Sequence, residues 1–352
     1  MLLRLLMHLI LPLGSFAATS CYGDHGKQVD WFIVYKLPQL RNKGEEAGMT
    51  YVYQDSSSGG WVPGATLMNS TDSAVGQTVS QLYKAFGMKD VAYILYNDEP
   101  ANISSSGSDR GHTKGMLLLD KKQGFWLVHS TPRFPPPADQ SYDWPLSAHR
   151  NGQSFLCVTY PYKQFGDIGQ QLLYNTILPY DSSIPEDFSV DFPELKTAAE
   201  KGAVTQPPWN RQVVLTSVGG KQFTSFSKHA HFSDDLYSGW VSQVLKSHLF
   251  VQFWQNSRGV LPSNCSLPFH TYNIMEIDIS CAYSFSTHND HSKWCVTDGA
   301  GWACVGDMNR DVKEERRGGG TVCVNDPNVW KSFRSLVSSY NNCTGPVSYS
   351  RV

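Results

Sequence analysis

The sequence lacks several features that would place it in familiar functional classes. Its 352 residues carry 29 Lys and Arg against 31 Asp and Glu, so the formal net charge is −2 with histidine neutral. This balance excludes a constitutively basic nucleic-acid-binding protein. The chain has no GxxxxGK[ST] loop and no GxSxG motif, which disfavours nucleotide-driven chemistry and a serine hydrolase with that nucleophile elbow. It also has no low-complexity tail.

Long apolar segments are missing after the N-terminus. Residues 1–17 contain one Arg, an apolar stretch and a small-residue site at 15–17. This pattern predicts a secretory signal peptide that is cut after Ala17. No later segment has 18 continuous apolar residues, so we expect no membrane-spanning helix and a soluble mature chain.

The cysteines contain no CxxC pair, and we therefore expect no structural zinc site. Eight cysteines behind a signal peptide instead indicate an oxidising compartment in which disulfides form. Glycosylation is predicted at four Asn-x-Ser/Thr sequons. These sequons begin at Asn69, Asn102, Asn264 and Asn342.

Histidine is abundant enough to make the net charge depend on pH. The chain has 11 histidines, and most exposed imidazoles become cationic below about pH 6. We therefore expect the protein to attract polyanions in acid and to hold them poorly at neutral pH.

Strand-like and helix-like segments alternate along the chain. β-Branched and aromatic runs predict strands, and cap-type residues followed by apolar periodicity predict helices. The predicted strands are 29–37, 91–98, 115–120, 124–130, 249–254 and 319–324, and the predicted helices are 71–86, 233–249 and 326–340. This alternation predicts an α/β fold with mixed sheets, and the polar segment 180–210 is the expected hinge.

A His-x-Lys motif occurs three times, and its surroundings separate two occurrences from the third. His112 with Lys114 and His291 with Lys293 each precede a predicted hairpin. Taking 120 opposite 124 in the first hairpin predicts Gly115 opposite His129, so His129 and Ser130 return beside Lys114. His25 with Lys27 has no returning strand and is interpreted as coincidental.

The second hairpin repeats the design of the first. Its return brings Gly306 near Lys293, and Asn309 follows that lysine by 16 positions, as Ser130 follows Lys114. The two histidine motifs lie 179 residues apart, which suggests an internal repeat.

These residue types suit phosphoryl transfer. A lysine neutralises phosphate oxygens, a neutral imidazole attacks phosphorus, and a protonated imidazole protonates the leaving oxygen. Asp298 is a candidate to orient a histidine, and Asn309 is a candidate to donate a hydrogen bond to the phosphate. Two alternatives stay open: the motifs lie on solvated strand edges, or His288, Asp290 and His291 bind a metal.

Several segments together make the chain resemble deoxyribonuclease II. They include GHTKGMLLLD, GFWLVHSTPRFPPP, DHSKWCV and CVGDMNR, and the resemblance runs from about residue 21 to 343. The resemblance implies membership of the phospholipase D superfamily, whose signature is HxK, four residues, Asp, and a later Gly-x-x-Asn. The second motif fits fully through His291, Lys293, Asp298, Gly306 and Asn309.

The first motif departs from that signature. Position 119 is Leu, and the carboxylate of Asp120 comes one residue late. Either Asp120 or His129 completes the first half, and either histidine is the nucleophile.

The resemblance also implies a function, a fold and a disulfide pattern. It implies a lysosomal acid endonuclease without divalent metal or other cofactor, which cuts duplex DNA with little sequence preference. The products are 3′-phosphate and 5′-hydroxyl ends, formed through a phosphohistidine.

The implied fold has two phospholipase D-like repeats, 18–180 and 181–352, each with a mixed sheet flanked by helices, around one composite active site. The implied disulfides are Cys21–Cys157, Cys265–Cys343 and Cys304–Cys323, with Cys281 and Cys295 outside the set.

Two other functions are compatible with the residues. One is a related lysosomal phosphodiesterase that acts on phospholipids or as an exonuclease. The other is a catalytically silent glycoprotein that binds polyanions at acid pH. The segment 315–320 (ERRGGG) is either a phosphate-contacting loop or a solvated surface turn, and the turn is favoured.

Overall fold

Two large β-sheets account for most of the regular structure. A computed structural model describes residues 18–40, 48–101, 109–280, 283–299 and 301–349. The predicted signal peptide, Asn102 and Cys281 lie outside these residues. Among the described residues, no helix has the length and apolar character needed to cross a bilayer.

The N-terminal half forms an eight-stranded sheet after a short two-stranded ribbon. The ribbon pairs β1 (Cys21–Tyr22) with β2 (Gln28–Val29). The sheet strands are β3 (Trp31–Lys36), β4 (Tyr51–Asp55), β5 (Val62–Pro63), β6 (Val91–Asn97), β7 (Lys114–Asp120), β8 (Gln123–His129), β9 (Gln153–Pro161) and β10 (Pro179–Ser183). Their spatial order is β10-β6-β7-β8-β9-β3-β4-β5, and the described pairings are antiparallel.

The C-terminal half forms a ten-stranded sheet. Its strands are β11 (Asn210–Thr216), β12 (Gln222–Lys228), β13 (Leu249–Gln252), β14 (Thr271–Ser280), β15 (Tyr283–Ser286), β16 (Trp294–Thr297), β17 (Trp302–Gly306), β18 (Gly319–Asn325), β19 (Val337–Asn342) and β20 (Gly345–Ser348). The order is β11-β12-β18-β17-β16-β13-β14-β19-β20, and β15 pairs with β14. β13 and β14 run parallel, so this sheet is mixed, whereas the expectation of a mixed sheet in the first half is wrong.

Helices cover the sheets and fill the space at their edges. They are α1 (Ala74–Ala85), α2 (Phe165–Asn175), α3 (Glu186–Asp191), α4 (Pro193–Ala199), α5 (Ser242–Leu245) and α6 (Pro327–Arg334). A π-helical turn, Tyr237–Val241, leads directly into α5. The predicted α/β class is therefore confirmed.

The two sheets share one central core. Trp31 of β3 packs against Phe223 of β12 with ring centroids 6.4 Å apart, and Tyr35 packs against Trp294 at the same distance. The outer face of the first sheet is covered by α1, and that of the second by the π-helical turn with α5. Burial on both faces explains why the central strands are almost continuously apolar.

Local predictions succeeded where the sequence pattern and the tertiary contacts agree. Asp326 caps α6, because its side chain accepts hydrogen bonds from the N–H groups of Asn328 and Val329. The same helix was predicted to reach residue 340, but it ends at Arg334. The residues from Val337 onward pair with β14 instead, which overrides their helical periodicity.

Two further predictions need correction. Gly115 lies opposite Val128, not His129, so the first hairpin is shifted by one residue from the expected register. The predicted division at residue 180 falls within β10, which belongs to the first sheet. The chain crosses to the second sheet between Ser183 and Asn210, within the expected hinge segment.

Candidate active site

His112 and Lys114 lie where the chain enters β7. The Lys114 side chain is buried and its Nζ forms an ion pair with the carboxylate of Asp98. Asp98 is brought there because Asn97, the last residue of β6, pairs with Lys114. The hairpin therefore places a cation and a carboxylate directly beside His112.

Backbone carbonyls hold the His112 side chain and main chain. Its Nδ1 donates to the Asp307 carbonyl at 2.5 Å, and its N–H donates to the Gly318 carbonyl at 2.9 Å. Because a carbonyl only accepts, the neutral ring carries its proton on Nδ1 and presents an unprotonated Nε2. Nε2 lies 3.7 Å from Asp98 Oδ2, and Nδ1 lies 3.6 Å from Glu314 Oε2.

His291 is held in the same way. Its Nδ1 donates to the Ser130 carbonyl at 2.9 Å, and its N–H donates to the Gly152 carbonyl at 2.9 Å. Lys293 is buried, donates to the His291 carbonyl at 2.6 Å and lies 3.0 Å from Nδ1. Lys293 has its shorter contact with the His291 carbonyl, so Nδ1 donates to the Ser130 carbonyl and Nε2 carries the free lone pair in this arrangement.

The carbonyls that hold each histidine belong to the opposite half of the chain. Asp307 and Gly318 hold His112 across 195 and 206 positions, whereas Ser130 and Gly152 hold His291. The two motifs therefore form one site.

Burial and lysine charges govern the protonation states. Burial lowers the pKa of both histidines well below the usual value, and Lys114 and Lys293 lower the pKa of each further. The charge of His112 also lowers the pKa of His291. Burial, followed by the charge of Lys114, lowers the pKa of Lys293 to about 7.

The carboxyl groups of the site fall into two kinds. Burial opposes ionisation of Asp98, but the charges of Lys114, His112 and Arg317 outweigh it and hold its pKa well below the usual range. Burial raises the pKa of Glu314 to about 7, and it raises the pKa of Asp307 to about 7. In mild acid, Asp98 is therefore charged, while these other two carboxyls are largely neutral.

Comparison with known proteins identifies the family of this chain. A protein-family model described as Deoxyribonuclease II matches residues 20–343. The chain belongs to the deoxyribonuclease II family. Deoxyribonuclease-2-alpha of Mus musculus is 48% identical over 93% of this chain and 94% of its own length. Deoxyribonuclease-2-beta of Homo sapiens is 40% identical, covering 95% and 96%. Plancitoxin-1 of Acanthaster planci is 41% identical, covering 94% of each.

Asp298, which the resemblance implied as part of the second motif, lies outside the site of this deoxyribonuclease II family member. Its side chain is 46% exposed, and its carboxylate is 3.7 Å from Arg334. The four residues of β16 separate it from Lys293, which puts the two about 16 Å apart along the extended strand. The prediction that Asp298 orients a histidine is therefore wrong.

Asp120 and His129 do not complete the first half either. Asp120 closes the β7–β8 turn, where Oδ1 accepts hydrogen bonds from the N–H groups of Lys122 and Gln123. His129 is buried and stacked on Phe155 with centroids 5.5 Å apart. Burial, followed by the charge of Lys114, lowers the pKa of His129 to about 3, so its ring stays neutral. The carboxylate beside Lys114 comes from Asp98 instead.

Asn309 lies beside the site in a supporting position. Its Oδ1 accepts a hydrogen bond from the Trp254 N–H at 3.1 Å. The Trp254 ring packs on His291 with centroids 5.3 Å apart. Asn309 thus fixes the residue that covers the His291 ring. Its direct contact with a phosphate stays a prediction.

The motif interpreted as coincidental lies away from this arrangement, and two of the three candidate metal ligands, His288 and Asp290, have other partners. His25 is exposed between β1 and β2. The Asp290 carboxylate is buried and accepts hydrogen bonds from Tyr35 and Ser292, whereas His288 contacts Asn256 at the surface. Among the described residues, no three His, Cys, Asp or Glu side chains are grouped to hold a metal ion.

The three implied disulfides are confirmed: Cys21–Cys157, Cys265–Cys343 and Cys304–Cys323. Cys295 is a buried free thiol. Asn69 is exposed, while Asn264 and Asn342 are partly exposed, and glycosylation at these positions stays a prediction.

Sequence reasoning missed the roles of Asp98, Glu314 and Arg317. Arg317 bridges Glu314 Oε1 at 3.1 Å and Asp98 Oδ2 at 3.4 Å. The segment 315–320 was interpreted as a solvated turn, but its glycines are buried and Gly318 holds His112. Hairpin geometry offered one signal, since antiparallel pairing of β6 with β7 brings Asp98 to Lys114.

Proposed function

We propose that the protein is a metal-independent acid endodeoxyribonuclease that cuts double-stranded DNA with little sequence preference. The observation that carries this proposal is the pair of buried histidines, each held through Nδ1 by a carbonyl of the opposite half. This arrangement leaves two Nε2 atoms for chemistry at one phosphodiester. The names of the relatives support DNA as the substrate.

In the proposed reaction, His291 is the nucleophile and His112 is the acid. The Nε2 lone pair of His291 attacks phosphorus, the P–O5′ bond breaks, and His112 gives its Nε2 proton to the departing oxygen. Water then attacks phosphorus, the P–N bond breaks, and His112 takes the proton from that water. The products are a 5′-hydroxyl and a 3′-phosphate.

The charges around each ring support this assignment. Asp98 is charged in mild acid and lies near His112, so its carboxylate favours the imidazolium form. Lys293 lies beside His291 and favours its neutral form. A bound phosphodiester adds negative charge, which raises the pKa of His112 toward the working range. Lys114 and Lys293 supply the positive charge that the transition state needs.

A plasmid assay tests the overall function. We expect supercoiled DNA to be nicked and linearised at pH 5 but not at pH 7.5, with excess EDTA present. His112→Ala and His291→Ala should abolish cutting, and His25→Ala should leave it unchanged. Cutting that requires added metal would overturn the metal-independent mechanism, and stepwise release of mononucleotides from an end-labelled duplex would overturn the endonuclease.

An activated substrate tests the division of roles. Bis(p-nitrophenyl) phosphate has a leaving group that needs no proton. We expect His112→Ala to retain a burst of p-nitrophenol on this substrate, since the nucleophile remains. His291→Ala should show none, and the reverse result would exchange the two roles.

We also propose two phospholipase D-like repeats and a lysosomal location. The matching carbonyl contacts of the two histidines support the repeats. The disulfides and the predicted signal peptide support passage through the secretory pathway, and the acid preference supports the lysosome. Colocalisation of tagged protein with a lysosomal marker tests the location.

A further inference from the structure

Lys36 is a fully buried lysine whose polar partners are backbone carbonyls. It is the last residue of β3. Its Nζ donates to the carbonyls of Ala148 at 2.6 Å, His149 at 2.7 Å and Asn151 at 2.6 Å. We call this arrangement the first clamp.

Lys228 repeats this arrangement in the second sheet. It is the last residue of β12 and is also fully buried. Its Nζ donates to the carbonyls of Glu314 at 2.8 Å, Glu315 at 3.0 Å and Arg317 at 2.8 Å. We call this the second clamp. An ammonium group has three N–H donors, so three carbonyls satisfy it completely.

Each clamped loop leads directly into a carbonyl that holds a catalytic histidine. The first clamp ends at Asn151, and the next carbonyl, of Gly152, accepts the N–H of His291. The second clamp ends at Arg317, and the next carbonyl, of Gly318, accepts the N–H of His112.

We propose that Lys36 and Lys228 are positioning residues, each of which fixes the main chain that holds the histidine of the opposite half. Lys36 positions His291, and Lys228 positions His112. The catalytic consequence rests on the proposed function, whereas the structural consequence for each ring does not.

The energetic reason is that each loop depends on the three N–H donors of one buried ammonium. Losing the ammonium removes a donor from every carbonyl of a clamp, and of the six carbonyls in the two clamps that of Glu314 keeps a second described donor, the Arg317 N–H at 3.2 Å. A buried carbonyl without a donor destabilises the loop that carries it. The loop then shifts toward water, and the histidine follows through its N–H bond. A misplacement of about 1 Å at a catalytic group can cost on the order of 100-fold in rate.

Protonation links the first clamp to acid conditions. Burial lowers the pKa of Lys36 to about 7, opposed by the charge of Asp290. His149 also faces this lysine, and burial, followed by the charge of Lys36, lowers the pKa of His149. The ammonium has three N–H groups and the neutral amine has two, so the clamp is complete at pH 5 and weakens as pH rises through 7.

The second clamp follows the same rule at a slightly higher pH. Burial lowers the pKa of Lys228 to about 8, opposed by nearby carboxylates. The facing charged groups are Glu314, Asp235, Asp234, Glu315 and His229, and the pKa of His229 is lowered in part by Lys228. The second clamp therefore loses its third donor as pH rises through 8.

Cross-specific perturbation of the two rings tests the proposal. We would label full-length protein with [15N]histidine and assign the His112 and His291 ring signals from their alanine variants. Lys36→Met is expected to shift the His291 ring signals and spare His112, and Lys228→Met is expected to do the reverse. A global loss of stability would not produce this exchange between halves.

Kinetics gives the catalytic arm of the test. On plasmid DNA, each variant should lower kcat by about 100-fold and leave KM within about twofold, since the lysines do not touch substrate. The exposed lysines Lys27 and Lys331 give matched controls, and their Met variants should behave as wild type. Selective ring shifts with no DNA cleavage by wild type would keep the clamps and overturn the proposed function.

Unaltered protein provides a test that does not depend on variants folding. We expect hydrogen-exchange protection of the His291 and His112 amides to fall between pH 5 and pH 8.5, after correction for intrinsic rates. Protection of the Val34 amide within β3 should not change. The proposal would be overturned if the protection of the His291 and His112 amides stayed constant across this pH range, as that of Val34 should. It would also be overturned if either lysine variant shifted the signals of both rings equally.

Discussion

Burial, rather than motif spacing, determines how individual side chains behave in this site. His112 and His129 are both buried imidazoles near Lys114, yet only His112 contacts groups of the opposite half. Lys114 is paired with Asp98, while the described hydrogen-bond partners of the Lys293 Nζ are the ring and the carbonyl of His291. The two lysines therefore lie in different charge environments.

Glu314 is predicted to contribute to the acid preference that we propose. Its pKa of about 7 makes it mostly neutral at pH 5 and mostly ionised at pH 7.5, where its charge near His112 repels a phosphodiester. Glu314→Gln should raise the nicking rate at pH 7.5 by about tenfold, or about 1.4 kcal/mol, and change the rate at pH 5 little. The matched control is Glu315→Gln at the half-exposed neighbour. An unchanged ratio of the two rates in Glu314→Gln would exclude this role.

Asp298 and Asn309 are predicted to differ although the sequence motif pointed to both. Asp298→Ala should leave the nicking rate within about twofold, and its exposed pair with Arg334 contributes about 1 kcal/mol or less to stability. Asn309→Ala should lower kcat because it frees the Trp254 that covers His291. Comparable losses of kcat in both variants would contradict the structure.

At the scale of elements, the β16–β17 hairpin delivers groups to both histidines. Lys293 precedes β16, and the Gly306 N–H donates to the Lys293 carbonyl at 3.0 Å as β17 ends. The next residue, Asp307, supplies the carbonyl that holds His112. One hairpin thus links the cation of one half to the imidazole of the other.

Gly306 is required by the close approach of β18. A Cβ at this position would lie 2.5 Å from the Gly320 carbonyl oxygen. Gly306→Ala should therefore lower stability by about 1–3 kcal/mol and lower kcat, since Asp307 moves with it. Thermal unfolding and plasmid nicking measure the two effects. Gly299→Ala, at the turn of the same hairpin, has open space and should have neither effect.

At the scale of the whole molecule, the two halves form one folding unit. Side chains from both sheets build the central core, and backbone bonds from 152 to 291 and from 112 to 318 cross between them. A half expressed alone would expose the inner face of its sheet. The site exists only when both halves are packed together.

The disulfides should stabilise this unit according to the length of chain that they close. Cys21–Cys157 spans 136 residues and Cys304–Cys323 spans 19. Loop entropy predicts that removing the first with paired Ser substitutions costs about 1.8 kcal/mol more than removing the second. Denaturant unfolding of the two double variants measures this difference. A larger loss for the shorter loop would show that packing around Cys304 dominates.

The sequence by itself determined the local features of this protein. The two histidine hairpins, the cap at Asp326 and several buried strands follow from spacing, propensity and periodicity, which act over a few residues. The disulfide pairs followed only from the family resemblance. Even locally, the predicted register of the β7–β8 hairpin was wrong by one residue. The turn residues alone did not specify which two residues form the first pair after the turn.

Only the tertiary structure decided which residues complete the site. Asp98, Glu314 and the carbonyls of Ser130 and Asp307 reach the histidines across distant chain positions, and backbone carbonyls carry no sequence signature. Asp298 fits the motif but points to solvent, because a strand carries it about 16 Å away from Lys293. Contacts of this kind depend on how the two sheets pack, and packing is a property of the whole chain.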